Sequence, residues 1–126
     1  MAGPALTGIG IDAVEVDRFR VVINRTPGVV RRVFTEGEQA AGARRKDPAQ
    51  RLAARFAAKE AVMKALGVGL GAFKFHDVEV VNAPSGKPSL VLRGKAAALA
   101  AEQGVRGWEL SLTHTHRTAH AVAVAL

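Results

Sequence analysis

The chain contains no cysteine and no tyrosine, one tryptophan and five phenylalanines in 126 residues. Without cysteine there is no disulfide framework, no thiolate metal site and no thiol nucleophile, which fits a reducing compartment. Aromatics this sparse, with no pair of them interleaved among the basic residues, leave no stacking surface for nucleic-acid bases. Zinc-finger and RNP patterns are absent too. No apolar run approaches the length of a membrane span. The opening MAGPALTGIG lacks a basic stretch followed by an apolar one, so no signal peptide is expected. The expectation is a cytoplasmic protein with neither a membrane nor a nucleic-acid partner. Its length suggests a single domain, 1–126, large enough to build a core without staples.

What is abundant is positive charge, unevenly placed. The formal net charge is +7. Between Arg18 and Arg55 there are ten Lys/Arg against three acids, whereas the rest of the chain holds eight of each sign. Such a segment either faces something negative or is a solvated Arg-rich surface.

Hydrophobic periodicity sets the elements. Thr7 to Asp12 reads as a strand ending near the acid. The segment DAVEVDRFRVVINR, with Val14, Phe19, Val22 and Ile23 at helical spacing and acids early, predicts a helix broken by TPG. VVRRVF is a short helix or turn. Thr35, with Glu38 three residues on, predicts a capping box. The strongest helix signal is DPAQRLAARFAAKEAVMKALG. Asp47 is its N-cap and Pro48 lies in its first turn. Leu52, Phe56, Met63 and Leu66 form its stripe, and Gly67 is its stop. GVGLGAF is a Gly-rich loop. HDVEVVN–APSG–KPSLVLRG is a hairpin. KAAALAAEQG is a short helix closed by Gly104. WELSLTHT–HR–TAHAVAVAL is a second hairpin whose apolar last strand should be central. This order predicts an α+β fold with a mainly antiparallel sheet packed on a long central helix.

Two acids carry the chemical interest. Glu60 precedes Lys64 by one helical turn, which an ordinary i,i+4 pair would explain. If instead Asp12 and Glu60 meet at the core edge, two carboxylates without thiol or paired histidine make a hard oxygen site suited to Mg²⁺. Lys59 and Lys64 would then serve as point charges for phosphate. Spacing alone leaves both readings open. GVGLG could cradle a phosphate or be a plain helix exit. His114, His116 and His120 lack a tetrahedral ligand set for zinc. His114 shares a face with Leu110 and Leu112, so a core-edge histidine is the plain alternative to a functional one.

Three stretches in order, GIGIDAVEVDRF, RFAAKEAVMKALG and LSLTHT…AHAVAVAL, with SGKP between the last two, resemble the holo-(acyl-carrier-protein) synthase family. This is the small, single-domain class of 4′-phosphopantetheinyl transferases, and the likeness runs from about Leu6 to Leu126. It implies that Asp12 and Glu60 together bind one Mg²⁺. It implies transfer of 4′-phosphopantetheine from coenzyme A to a serine of an apo acyl carrier protein of fatty-acid or polyketide assembly, releasing adenosine 3′,5′-bisphosphate. In that reading Lys64 offsets phosphate charge, and Lys59 assists or is structural. Gly67 and Gly69 let the backbone approach coenzyme A, and Arg55 and His114 lie near its 3′-phosphate. A metal-bound water, Glu60 or His114 takes the serine proton. Arg18 meets the acidic carrier, with Arg25 on the same helical face and Arg32 beyond the TPG break. The resemblance also implies a homotrimer with its active site between subunits. Ala13, where a larger aliphatic residue is common, and Val68, in place of a frequent Thr, depart from the pattern.

Two readings from other classes compete. A basic binding module for nucleic acid would survive Glu60→Ala. A non-catalytic scaffold would have no use for Asp12, Glu60 and Lys64 together.

Overall fold

The computed structural model describes residues 6–126. Strand β1 (Gly8–Glu15) leads into helices α1 (Val16–Arg25), α2 (Gly28–Val33), α3 (Glu36–Ala43) and α4 (Pro48–Ala65). A 3-10 turn (Phe75–Asp77), β2 (Val78–Asn82), β3 (Pro88–Leu92), α5 (Gly94–Glu102), β4 (Trp108–His114) and β5 (Thr118–Ala125) follow. The strands form two antiparallel sheets, β1-β5-β4 and the β2-β3 hairpin. As its apolar sequence predicts, β5 is the central strand. Alanines 119, 121, 123 and 125 point into the core, and the intervening residues are half-buried. No helix among the described residues is long and apolar enough to cross a membrane.

Helix α4 is the spine. Asp47 caps it by accepting from the Ala49 N–H at 3.2 Å, and Leu52, Met63 and Leu66 are buried. Phe56 is only half-buried, at the edge of the stripe, between Phe19 and Phe75 at ring distances of 5.7 and 5.6 Å. One apolar cluster joins the C-terminal half of α4 to both sheets and α5. A second joins its N-terminal half to α1 and α2.

Strand β1 runs three residues past its expected end at Asp12. It pairs with β5 without interruption from Gly8↔Ala125 to Glu15↔Thr118, so residues 13–15 satisfy their backbone in the sheet. The acids that resemble a helix start therefore belong partly to a strand, and α1 begins at Val16. The inward face of β1 carries Gly8, Gly10, Asp12 and Val14. A Cβ at Gly10 would lie 1.9 Å from the Ala61 carbonyl oxygen, and one at Gly8 2.1 Å from that of Ala65. Only glycine allows the strand to lie this close to α4.

The capping box at Thr35 forms as predicted. Glu38 does more than cap, because it is fully buried and ion-paired with Lys59 at 2.8 Å. This corrects the expectation that Lys59 stands beside Glu60 as a phosphate-binding charge. The Lys59 ammonium lies inside the protein. Burial lowers its pKa from the ordinary lysine value, and the Glu38 charge and hydrogen bond oppose that.

Candidate active site

Asp12 reaches α4 because the two glycines before it on the same face hold β1 against the helix. Its Oδ1 accepts from Lys64 Nζ at 3.0 Å, and the same ammonium donates to the Ile11 carbonyl at 3.0 Å. Asp12 and Glu60 line one open cavity of about 410 Å³, together with Phe56 of α4 and Arg18 and Val22 of α1. The Glu60 pKa is raised above its ordinary 4.5, first by burial and then by the Asp12 charge, with Lys64 opposing. Among the described residues no hydrogen bond contributes to that shift. The two carboxylates sense one another, which spacing alone could not show.

The donor set suits a hard cation. Two carboxylates at an open cavity leave room for the several waters that Mg²⁺ retains. Among the described residues no group of three or more His, Cys, Asp or Glu is gathered for a metal, so an all-protein cage is not built.

A metal-free test follows from the raised Glu60 pKa. A carboxyl raised in the folded state favours folding below its unfolded value, and that contribution is lost as pH rises through the folded value. Glu60→Gln should therefore raise the melting temperature in EDTA at pH 7 and have little effect at acid pH. Thermal melts across pH 4–7 check this.

Arg55 and His114 meet at a second cavity of about 610 Å³, on a different side of α4. Arg45, Lys46 and Arg51 also line it, so one concavity collects four of the ten cations of the basic segment. Arg55 is buried. Its Nη2 donates to Asn82 Oδ1 at 3.2 Å, while its Nε and that of Arg51 have no partner among the described residues. Burial, and then the Arg51 charge, lower the Arg55 pKa. A buried, incompletely satisfied guanidinium ringed by like charges calls for an anion. His114 is exposed at the end of β4, which corrects its reading as a core-edge residue.

The sequence reading missed Arg45, Lys46 and Arg51 as cavity residues. The signals were the run Arg44-Arg45-Lys46 and the i,i+4 spacing of Arg51 and Arg55. Gly67, with φ of 71°, ends α4, and the open loop through Gly69 lies outside both cavities. Arg18 and Arg25 share the outer face of α1, which lasts just far enough to include both, and Arg32 is exposed on α2.

Comparison with known proteins bears on family and fold. Residues 8–125 match the family model of the 4′-phosphopantetheinyl transferase superfamily. The holo-(acyl-carrier-protein) synthase of Frankia alni is 50% identical over 121 residues, covering 96% of this chain and 98% of that protein. The crystal structure of the Neisseria meningitidis holo-(acyl-carrier-protein) synthase superposes with a TM-score of 0.87 at 31% identity, covering 96% of this chain and 98% of that one. The Bacillus anthracis holo-(acyl-carrier-protein) synthase, solved in complex with CoA (3′,5′-ADP), gives 0.80 at 32% identity, over 95% and 96% of the two chains. A match spanning nearly the whole chain, in sequence and in fold, shows that this protein belongs to the 4′-phosphopantetheinyl transferase superfamily, in its holo-(acyl-carrier-protein) synthase group.

Proposed function

We propose that this chain, as one domain over 1–126, moves 4′-phosphopantetheine from coenzyme A to a serine of an apo acyl carrier protein in the cytoplasm. The observation that carries the reading is the convergence of Asp12, Glu60 and Lys64 beside Arg18, with a separate anion-seeking cavity at Arg55 and His114. The serine oxygen attacks the phosphorus that bears pantetheine. The bond from that phosphorus to the bridging oxygen breaks, and adenosine 3′,5′-bisphosphate leaves. Asp12 and Glu60 would hold Mg²⁺, which supplies charge neutralisation to the pyrophosphate. Lys64 turns from Asp12 toward phosphate oxygen. Gly67 and Gly69 leave the backbone open to the pantetheine arm, and Arg55 with His114 binds the 3′-phosphate. Glu60 and His114 are the side chains able to take the serine proton.

The two cavities share no lining residue, and this supports a site assembled between subunits. The outward face of the β1-β5-β4 sheet supports the same reading. Ile9 and Ile11 are 60% and 62% exposed there, beside half-buried Val124 and Val122 in register. A contiguous apolar sheet face suits a partner, here further copies of the chain in a trimer. Ile9→Asp should shift the protein toward monomer in size-exclusion chromatography with light scattering and lower activity with it. An unchanged mass would remove this face from the assembly. Co-expressing Asp12→Asn with Arg55→Ala tests the shared site. Partial recovery of transfer from two inactive variants is expected, and none is expected if each chain holds its own complete site.

Arg18, exposed Val22 and Arg25 on α1 form the carrier-facing surface of this reading. An acidic carrier would be steered there, more weakly as salt rises. Arg18→Glu should raise the carrier KM about tenfold or more and leave the coenzyme A KM nearly unchanged. Equal effects on both substrates would remove the partner assignment.

A further inference from the structure

Helix α4 meets the sheet through small side chains. Ala57, Ala58 and Ala61 are fully buried in one cluster with Ala121 and Ala123 of β5, and Ala61 and Ala65 lie against the glycines of β1. Such surfaces approach closely but interdigitate little. They fix the distance between helix and sheet better than the rotation of the helix about its own axis. A helix that must aim one carboxylate needs a directional contact as well.

Lys59, the residue before Glu60, supplies one. Its ammonium has three donors, and three acceptors surround it: Glu38 Oε1 at 2.8 Å, the Phe75 carbonyl at 3.0 Å and the Val78 carbonyl. Glu38 is held in turn by the Thr35 N–H at 3.0 Å and the Val80 N–H at 2.9 Å. The start of α3, the middle of α4, the 3-10 turn and β2 therefore meet at one buried ion pair. The 3-10 turn is the exit of the Gly-rich loop. The entry of that loop is tied to α4 by the Val68 N–H on the Met63 carbonyl at 2.9 Å.

We propose that Lys59 and Glu38 are positioning residues for the transfer reaction, a clamp that sets the rotation of α4 and so aims Glu60 at Asp12. The proposal rests on reading Asp12 and Glu60 as the metal pair. Successive residues of a helix are about 100° apart, so fixing the azimuth of Lys59 fixes that of Glu60. The same ammonium, through the Phe75 carbonyl, anchors the far end of the Gly-rich loop. Neither side chain lines either of the two cavities.

A purely structural role makes a different prediction. Replacing both members of a buried ion pair together leaves no unpaired charge in the core, and the cost is confined to the Thr35 and Val80 N–H groups and the Phe75 and Val78 carbonyls that lose a partner. The double variant Glu38→Leu/Lys59→Met therefore separates folding from aim. Thermal melts measure its stability, and electron paramagnetic resonance measures Mn²⁺ binding to the protein without coenzyme A. Steady-state assays give kcat and both KM values.

The expected result is a folded protein whose Mn²⁺ dissociation constant rises about tenfold. Its kcat should fall about a hundredfold, as a displaced catalytic group allows, with little change in carrier KM. Unaltered Mn²⁺ affinity and kcat in a folded double variant would overturn the clamp. If that variant does not fold, Glu38→Asp replaces it, keeping the charge and shortening the reach by one methylene. A smaller loss in the same two quantities is then expected, and unaltered values overturn the proposal. Failure of Mn²⁺ to bind the unaltered protein would strike the metal pair instead, and the kcat of the variants would still decide the clamp.

Discussion

Asp12→Asn should lower phosphopantetheine transfer by about a thousandfold, the scale on which removal of one preorganised charge-stabilising group is felt. The substitution keeps the shape of the side chain and removes its charge. Glu60 alone then faces any divalent cation, and one carboxylate makes a poor Mg²⁺ site. The fold should not suffer. The Asp12–Lys64 pair is made by an ammonium whose side chain is 55% exposed, and exposed pairs contribute about 0–1 kcal/mol. Lys64 keeps its bond to the Ile11 carbonyl. A circular-dichroism melt and transfer rates over a Mg²⁺ series measure both halves of this expectation. Near-normal turnover at low Mg²⁺ would remove Asp12 from the metal site.

Gly10→Ala should damage both stability and rate, by another route. The added methyl would sit 1.9 Å from the Ala61 carbonyl oxygen and 2.7 Å from the Ala65 nitrogen. Both are backbone atoms of a buried helix, so no side chain can swing aside. Either β1 lifts from α4 or its pairing with β5 slips. Overpacking of this kind costs roughly 3 kcal/mol or more, a large share of a domain's net stability. Because Asp12 follows two residues later on the same face, the strand cannot lift without drawing it away from Glu60. Displacement by about 1 Å is enough to cost a hundredfold in rate. Gly69→Ala is the matched control, since its Cβ would meet nothing within 4 Å. Melting temperatures and transfer rates of the two variants, side by side, check the argument. A Gly10→Ala protein with unaltered stability and rate would contradict it.

What the sequence discloses follows the range of the interactions. The cap, stripe and stop of α4, both hairpins and the capping box at Thr35 depend on neighbours a few residues away, and all appear as expected. The end of β1 depends on β5, more than a hundred residues further on, so three strand residues read as the start of a helix. Glu38 reads as a capping acid, which it is. Its burial against Lys59 comes from folding α3 onto α4, and local spacing does not encode that. The pairing of Asp12 with Glu60 entered through resemblance to a family. Its physical cause is visible only in the structure, where two glycines press the strand onto the helix. Arg55 and His114 share a cavity for a similarly non-local reason, the passage of β4 alongside α4.

The most direct measurement is the intact mass of a purified apo acyl carrier protein after incubation with this protein, coenzyme A and Mg²⁺, with an EDTA control. A gain of one phosphopantetheine, about 340 Da from the composition of the transferred group, is expected with Mg²⁺ and not with EDTA. A folded protein that leaves the mass of several apo carriers unchanged, or that adds the group equally well in EDTA, would contradict it.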